Sequence, residues 1–219
     1  ITVQAIAFML AVLAKWVPII FLPYLLWEAW KRFNIKQLSL AFVTSLTLGI
    51  VITYSFTDGM RLDLFAGLKA FSEFWYFFGF LHHFVMDIVV ALGSEPYLGF
   101  KIGQYIGAPV GIILGGTLFY AQLTNRLSCK DCIFWLWVSF LFVSPTINPW
   151  YLQPLLILGL HHHRKYVSWC LWPLLGLASQ AFFIDFKDPV FLRYGVYLIV
   201  SLGIVYDLKI MRSSLGIRT

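Results

Sequence analysis

The chain has 219 residues, of which 60% are hydrophobic, 19% aromatic and only 12% charged, and its mean hydropathy is +0.82. Soluble domains carry about a quarter charged residues, so this composition excludes a soluble globular protein and points to helices in lipid. The net charge of +6 lies in short loops between apolar runs and forms no basic stripe with interleaved aromatics, which excludes nucleic acid as a partner; three cysteines, one inside an apolar run, do not make a disulfide scaffold.

The chain enters apolar sequence at Ile1, without a basic n-region or a cleavage site, and so reads as a fragment and not as a signal peptide. Ile1 to Trp30 is apolar except for Gln4, Lys15 and Glu28 and is longer than one upright crossing needs, with Pro18 and Pro23 expected to kink it. Lys15 is costly in hydrocarbon, so it faces the protein interior, snorkels to an interface, or ends a shorter helix. Lys31, Arg32 and Lys36 form the first basic loop, expected on the cytoplasmic side, and Leu38 to Phe56 is a second span.

Thr57 to Tyr97 is the longest non-spanning stretch and by alternation faces outward. Phe65, Leu68, Phe71, Phe74, Trp75 and Phe78 recur in it at helical spacing among mixed charges, which predicts amphipathic helices on the outer interface. His82 and His83 stand within it between Leu81 and Phe84, and the pair reads equally as buried histidines or as contacts to a polar or phosphate group. Leu98 to Leu123 is the third span, with Gly103, Gly107, Gly111, Gly115 and Gly116 predicting the close approach of another helix.

Cys129-Lys130-Asp131-Cys132 follows on the inner side. A zinc site would need a second ligand pair from His161, His162 and His163, but these belong more simply with Arg164 and Lys165 in a solvated loop, and no metal is assigned. Ile133 to Val143 and Trp150 to Leu160 read as the short arms of a hairpin. Its turn carries Asn148-Pro149, a helix-start signal, beside Trp150 and Tyr151, residues that favour the membrane boundary. Such a helix start suits an anionic head group, although spacing alone describes a turn with an aromatic anchor. Val167 to Ile184 and Phe191 to Tyr206 complete about seven apolar segments in one alternation, with basic residues gathered in the inner loops. The expectation is an all-α polytopic transmembrane helical bundle, a single transmembrane domain over 1–219, with an amphipathic outer loop.

Three stretches carry a resemblance. Ser144-Pro145-Thr146-Ile147-Asn148-Pro149-Trp150-Tyr151 with its Leu/Pro-rich continuation to Pro154, Lys15-Trp16-Val17-Pro18, and Gly67-Leu68-Lys69 leading to Trp75-Tyr76-Phe77 resemble, in the same order, segments of bacterial integral-membrane glycosyltransferases of the GT-C superfamily, the polyprenyl-phosphate-sugar-dependent mannosyltransferase-like group. The resemblance implies transfer of a hexose such as mannose from a polyprenyl-phosphate donor to a lipid or glycan acceptor, on the outer face of a bacterial inner membrane. No cofactor is assigned, and the partners expected besides donor and acceptor are membrane lipids. The family's catalytic base lies in an early outer loop that has no counterpart here, so no catalytic residue is assigned and the stretch alone reads as incomplete for catalysis. For the donor phosphate the expected residues are His82, His83, Arg61, Lys69, Asn148, Trp150 and Tyr151. Lys69 stands where the family more often has Arg, and Gln153 where it has an apolar residue. The reading from another class is a transporter or flippase of lipid-linked intermediates, which would want broken or charged helices at mid-membrane depth.

Overall fold

Backbone polar groups in hydrocarbon have to be paired within their own segment, which leaves helices or closed barrels as the available solutions. The computed structural model takes the first: it is 89% helix, with no strand among the described residues. The structure describes residues 1–14, 17–56, 79–145, 147, 151–162, 167–172, 174 and 190–214. Among the described residues three helices are long and apolar enough to cross a membrane, Ile35–Ser55, Pro96–Leu123 and Val190–Ile210, while Thr2–Leu13 and Phe80–Ala91 are apolar but shorter.

The chain divides into two units, Ile1–Phe74 with Thr117–Leu136, and Trp75–Gly116 with Trp137–Thr219. In the first unit, the apolar run expected as one kinked helix is broken into α1 (Thr2–Ala14), a 3-10 turn (Val17–Phe21) and α2 (Leu22–Arg32). The prolines explain the break: Pro18 falls in the 3-10 turn, and Pro23 occupies the first turn of α2, where its missing N–H leaves no bond unmade. Lys15 and Trp16 lie outside the described residues. α1 packs along α3 (Ile35–Phe56), with the Met9 thioether against Gly49. The far side of α3 exposes Leu40, Phe42, Val43, Leu46, Ile50 and Val51, an apolar surface suited to lipid.

α4 (Phe80–Ala91) and α5 (Pro96–Leu123) form a helical hairpin whose short connection turns on Gly93 at φ +84°, a left-handed conformation that glycine adopts without a Cβ clash. The glycine ladder does what its spacing predicts, one step earlier than expected. A Cβ on Gly99 would lie 2.7 Å from the Met86 Cα, one on Gly103 3.2 Å from the His82 Cα, and one on Gly111 3.3 Å from a Val143 methyl, whereas Gly116 faces open space.

α6 (Cys129–Val143) begins at the C-x-x-C. Ser128 caps its first turn: Ser128 Oγ accepts from the Asp131 backbone N–H at 3.2 Å, and the Ser128 hydroxyl donates to the Asp131 carboxylate at 2.7 Å. Cys132 is fully buried, its thiol pointing to the Leu118 carbonyl, and the described residues contain no cluster of three metal-ligating side chains. Phe134, Trp135, Leu136, Trp137, Val138 and Leu141 are buried as well, which makes α6 apolar and enclosed nearly all round.

α7 (Leu152–His162), α8 (Ser168–Leu171) and α9 (Val190–Ser214) complete the second unit. The fully buried Asp207 of α9 accepts from the backbone N–H groups of Val167 and Ser168 at 2.6 and 2.7 Å, so a carboxylate neutralises the start of α8. The segment predicted as a span to Ile184, and the amphipathic stretch predicted before Gly79, lie outside the described residues.

The glycine contacts order the expected effects of substitution. Gly99→Ala drives a methyl into the backbone of α4 and should cost about 1–3 kcal/mol, the range for overpacking, while Gly116→Ala should stay within about 0.5 kcal/mol of the parent. Thermal unfolding of the two variants in detergent compares them directly; equal melting points would show that the α4–α5 contact is not tight.

Candidate functional site

Gly79 precedes α4 with φ −66° and ψ 121°, so the chain enters the helix extended and without a side-chain cap. The first turn then carries Phe80, Leu81, His82 and His83. Both histidines are buried. The His83 Nδ1–H donates to the Gly79 carbonyl at 2.9 Å, which in a neutral ring leaves Nε2 as an acceptor. The His82 ring lies across the glycine ladder: a Cβ on Gly107 would be 3.0 Å from its Cε1 and one on Gly103 3.1 Å from its Cδ2. Its Nδ1 has no hydrogen-bond partner among the described residues. Burial, and next the neighbouring His83, push its pKa down to about 4, so the ring is neutral at physiological pH.

The turn predicted as the focus of the sequence sits against this helix start. Any side chain on Gly79 would collide with the carbonyls of Ser144 and Pro145, and the Val143 carbonyl faces Gly107. Ser144 ends α6 with its N–H bonded to the Phe140 carbonyl at 2.8 Å. Ile147 is buried, and so is Tyr151. The indole N–H of Trp137 donates to the Tyr151 carbonyl at 2.9 Å, and the Phe140 and Tyr151 rings meet edge to face at 6.1 Å. Tyr151 is therefore a core aromatic of the hairpin, where its sequence position suggested a boundary anchor. Of the expected donor residues, His82, His83 and Tyr151 flank the last two turns of α6; Arg61, Lys69, Asn148 and Trp150 lie outside the described residues.

One polar cluster escaped the sequence reading. Arg193 Nη2 pairs with Asp87 Oδ2 at 2.6 Å, the Tyr194 hydroxyl donates to the same oxygen, and the Arg193 side chain is 1% exposed. The pair joins α9 to α4, and Phe80 continues that contact against Phe142 and Tyr197, with centroids at 5.0 and 4.3 Å. The signal was available: Asp87 and Arg193 are charged residues inside largely apolar helices, and such groups are held by pairing. Asp87 lies five residues from His82, about 7–8 Å along the helix axis.

The second unit thus gathers two buried imidazoles, a buried guanidinium paired with the part-exposed Asp87 carboxylate, and a set of aromatics around the end of α6. Neutral imidazoles in an apolar setting can donate to or accept from an incoming polar group without carrying a competing charge. Compared with known proteins, the chain matches no family model, no curated protein and no solved structure.

The depressed His82 pKa sets a pH dependence. The unfolded chain takes up this proton near the ordinary value of about 6.5, while the folded state resists it down to about 4. Stability contributed at this site should therefore be constant above pH 7 and fall as pH drops from 6.5 toward 4. Melting curves at pH 7.5 and 5.0 should show a larger acid loss for the parent than for His82→Leu; identical losses would mean that His82 is not held neutral by its surroundings.

Proposed function

We propose that the protein is a membrane glycosyltransferase that moves a hexose, such as mannose, from a polyprenyl-phosphate donor to a lipid or glycan acceptor on the outer face. Such a transfer needs donors for the leaving phosphate and an apolar setting for the polyprenyl tail, besides a base for the acceptor hydroxyl. The observation that carries the reading is the seating of Gly79, which leads into the helix turn of His82 and His83, against Ser144-Pro145, the first residues of the stretch that resembles the GT-C group. The His82 imidazole, with its unpartnered Nδ1, and the uncapped start of α4 supply polar groups for a phosphate. Arg61, Lys69, Asn148, Trp150 and Tyr151 are the further residues that the resemblance assigns to the donor, and the inner-loop cations are those of a multi-pass bundle of about seven segments in a bacterial inner membrane. No catalytic base is assigned.

Transport of a lipid-linked intermediate is the second reading, favoured by the Asp87–Arg193 pair within apolar helices, since paired charges at such depth often line a substrate path.

Sugar transfer from radiolabelled polyprenyl-phosphate mannose to membrane acceptors separates the two. With the complete open reading frame, His83→Ala and Tyr151→Ala should each lower transfer about tenfold or more at unchanged membrane levels, the scale of one lost hydrogen bond to a charged group. Transfer that survives both changes refutes the donor site, and no transfer from any polyprenyl-phosphate sugar favours transport.

A further inference from the structure

The first unit holds a polar site of its own, where α5 ends. An open cleft of about 400 Å3 lies between the end of α2, the end of α5 and the start of α6, lined by Glu28, Lys31, Arg32, Gln122, Asn125 and Lys130 among others. Three cations face one carboxylate, and Glu28 is already engaged by Arg32 through a salt bridge at 2.5 Å. The cleft is held open by specific contacts. Lys31 Nζ donates to Asn125 Oδ1 at 2.8 Å, and Asn125 adopts φ 55°, a left-handed conformation that asparagine tolerates, which turns the chain back after α5. The Gln122 side-chain N–H donates to the Tyr24 carbonyl at 3.2 Å, which fixes the amide; its Oε1, in a residue only 2% exposed, has no hydrogen-bond partner among the described residues. An acceptor orphaned at the wall of a cationic cleft calls for a hydroxyl, and the cations call for an anionic oxygen.

Position identifies the source of that anion. The cleft residues 28–32 lie just before the candidate span Ile35–Ser55, Gln122 lies in the last turn of the candidate span Pro96–Leu123, and residues 125–130 follow it, so two membrane-length helices end at this level. Trp30 and Ile35 beside it are 61% exposed each, which suits the boundary between head groups and acyl chains. We propose that this cleft binds the phosphate and hydroxyls of an anionic phospholipid head group, of the phosphatidylglycerol type, with Lys31 and Lys130 on the phosphate and Gln122 Oε1 accepting from a glycerol hydroxyl. Basic recesses between spanning helices on the inner side are where head groups of this kind are held. The site is independent of sugar transfer, and its test reads lipid binding alone.

The detergent-purified full chain is titrated with phosphatidylglycerol, phosphatidylcholine and soluble glycerol 1-phosphate, following the rise in melting temperature that a ligand of the native state produces. Phosphatidylglycerol should stabilise and phosphatidylcholine should not. Lys31→Gln with Lys130→Gln should weaken phosphatidylglycerol binding about thirtyfold, from about 1 kcal/mol per lysine near an anionic surface at 1.4 kcal/mol per tenfold. Lys36→Gln with Lys209→Gln, outside the cleft, should leave binding as in the parent. If the double cleft variant fails to fold, Lys130→Gln alone, at an exposed position, should still weaken binding about fivefold on the same scale. Equal stabilisation by both lipids, or unchanged binding in the cleft variants, overturns the proposal; stabilisation by glycerol 1-phosphate equal to that by the lipid overturns the membrane source.

Discussion

The second unit depends on one close approach, that of α4 to the glycine edge of α5. Small residues let two helix backbones approach until they touch, and the contact then rests on van der Waals packing. Gly99 and Gly103 meet Met86 and His82, both pairs four residues apart, so one turn of each helix answers one turn of the other. The imidazole of His82 fits only because Gly103 and Gly107 present no Cβ. Packing and polarity therefore meet in one side chain, and the neutrality of that ring follows from the same contact that holds the helices together.

Around that approach the polar groups are arranged to limit the cost of burial. A buried ion pair is weak evidence for stability, since desolvation offsets much of its attraction, but removing one partner leaves a charge stranded. Asp87 accepts from both Arg193 and Tyr194, so its charge is shared between two donors on successive residues of α9. That register fixes α9 against α4 more specifically than apolar contact alone would. It also leaves Phe80, two turns away, packed on Tyr197.

Much of the architecture was legible because its physics is local. Length and hydropathy identify α3, α5 and α9, the four-residue glycine spacing identifies a contact edge, and Pro18 and Pro23 mark a disruption between Ile1 and Trp30. The sequence does not say that this disruption ends one helix and starts another, because the same prolines serve a kink or a new first turn. Ser128 caps the helix that Asp131 opens, yet Cys129 and Cys132 beside them draw attention to metal chemistry first. The histidine pair and the Ser144-Pro145 turn each stood out, but their contact joins residues more than sixty positions apart and has no local signature. The same holds for Asp87 with Arg193, 106 residues apart, and for the ring of Tyr151, whose burial depends on Trp137 and Phe140.

Asp207 has a consequence for the order in which the protein is made. The N–H groups that it satisfies belong to Val167 and Ser168, 40 and 39 residues earlier in the chain. At ~5–20 residues per second, the ribosome needs roughly 2–8 s to supply the carboxylate after those donors have emerged. During that interval the backbone N–H groups at the start of α8 lack the acceptor that the finished structure gives them. α9 is thus a lock made after the segment that it closes, and a nascent chain halted before Asp207 would leave Val167 and Ser168 without it.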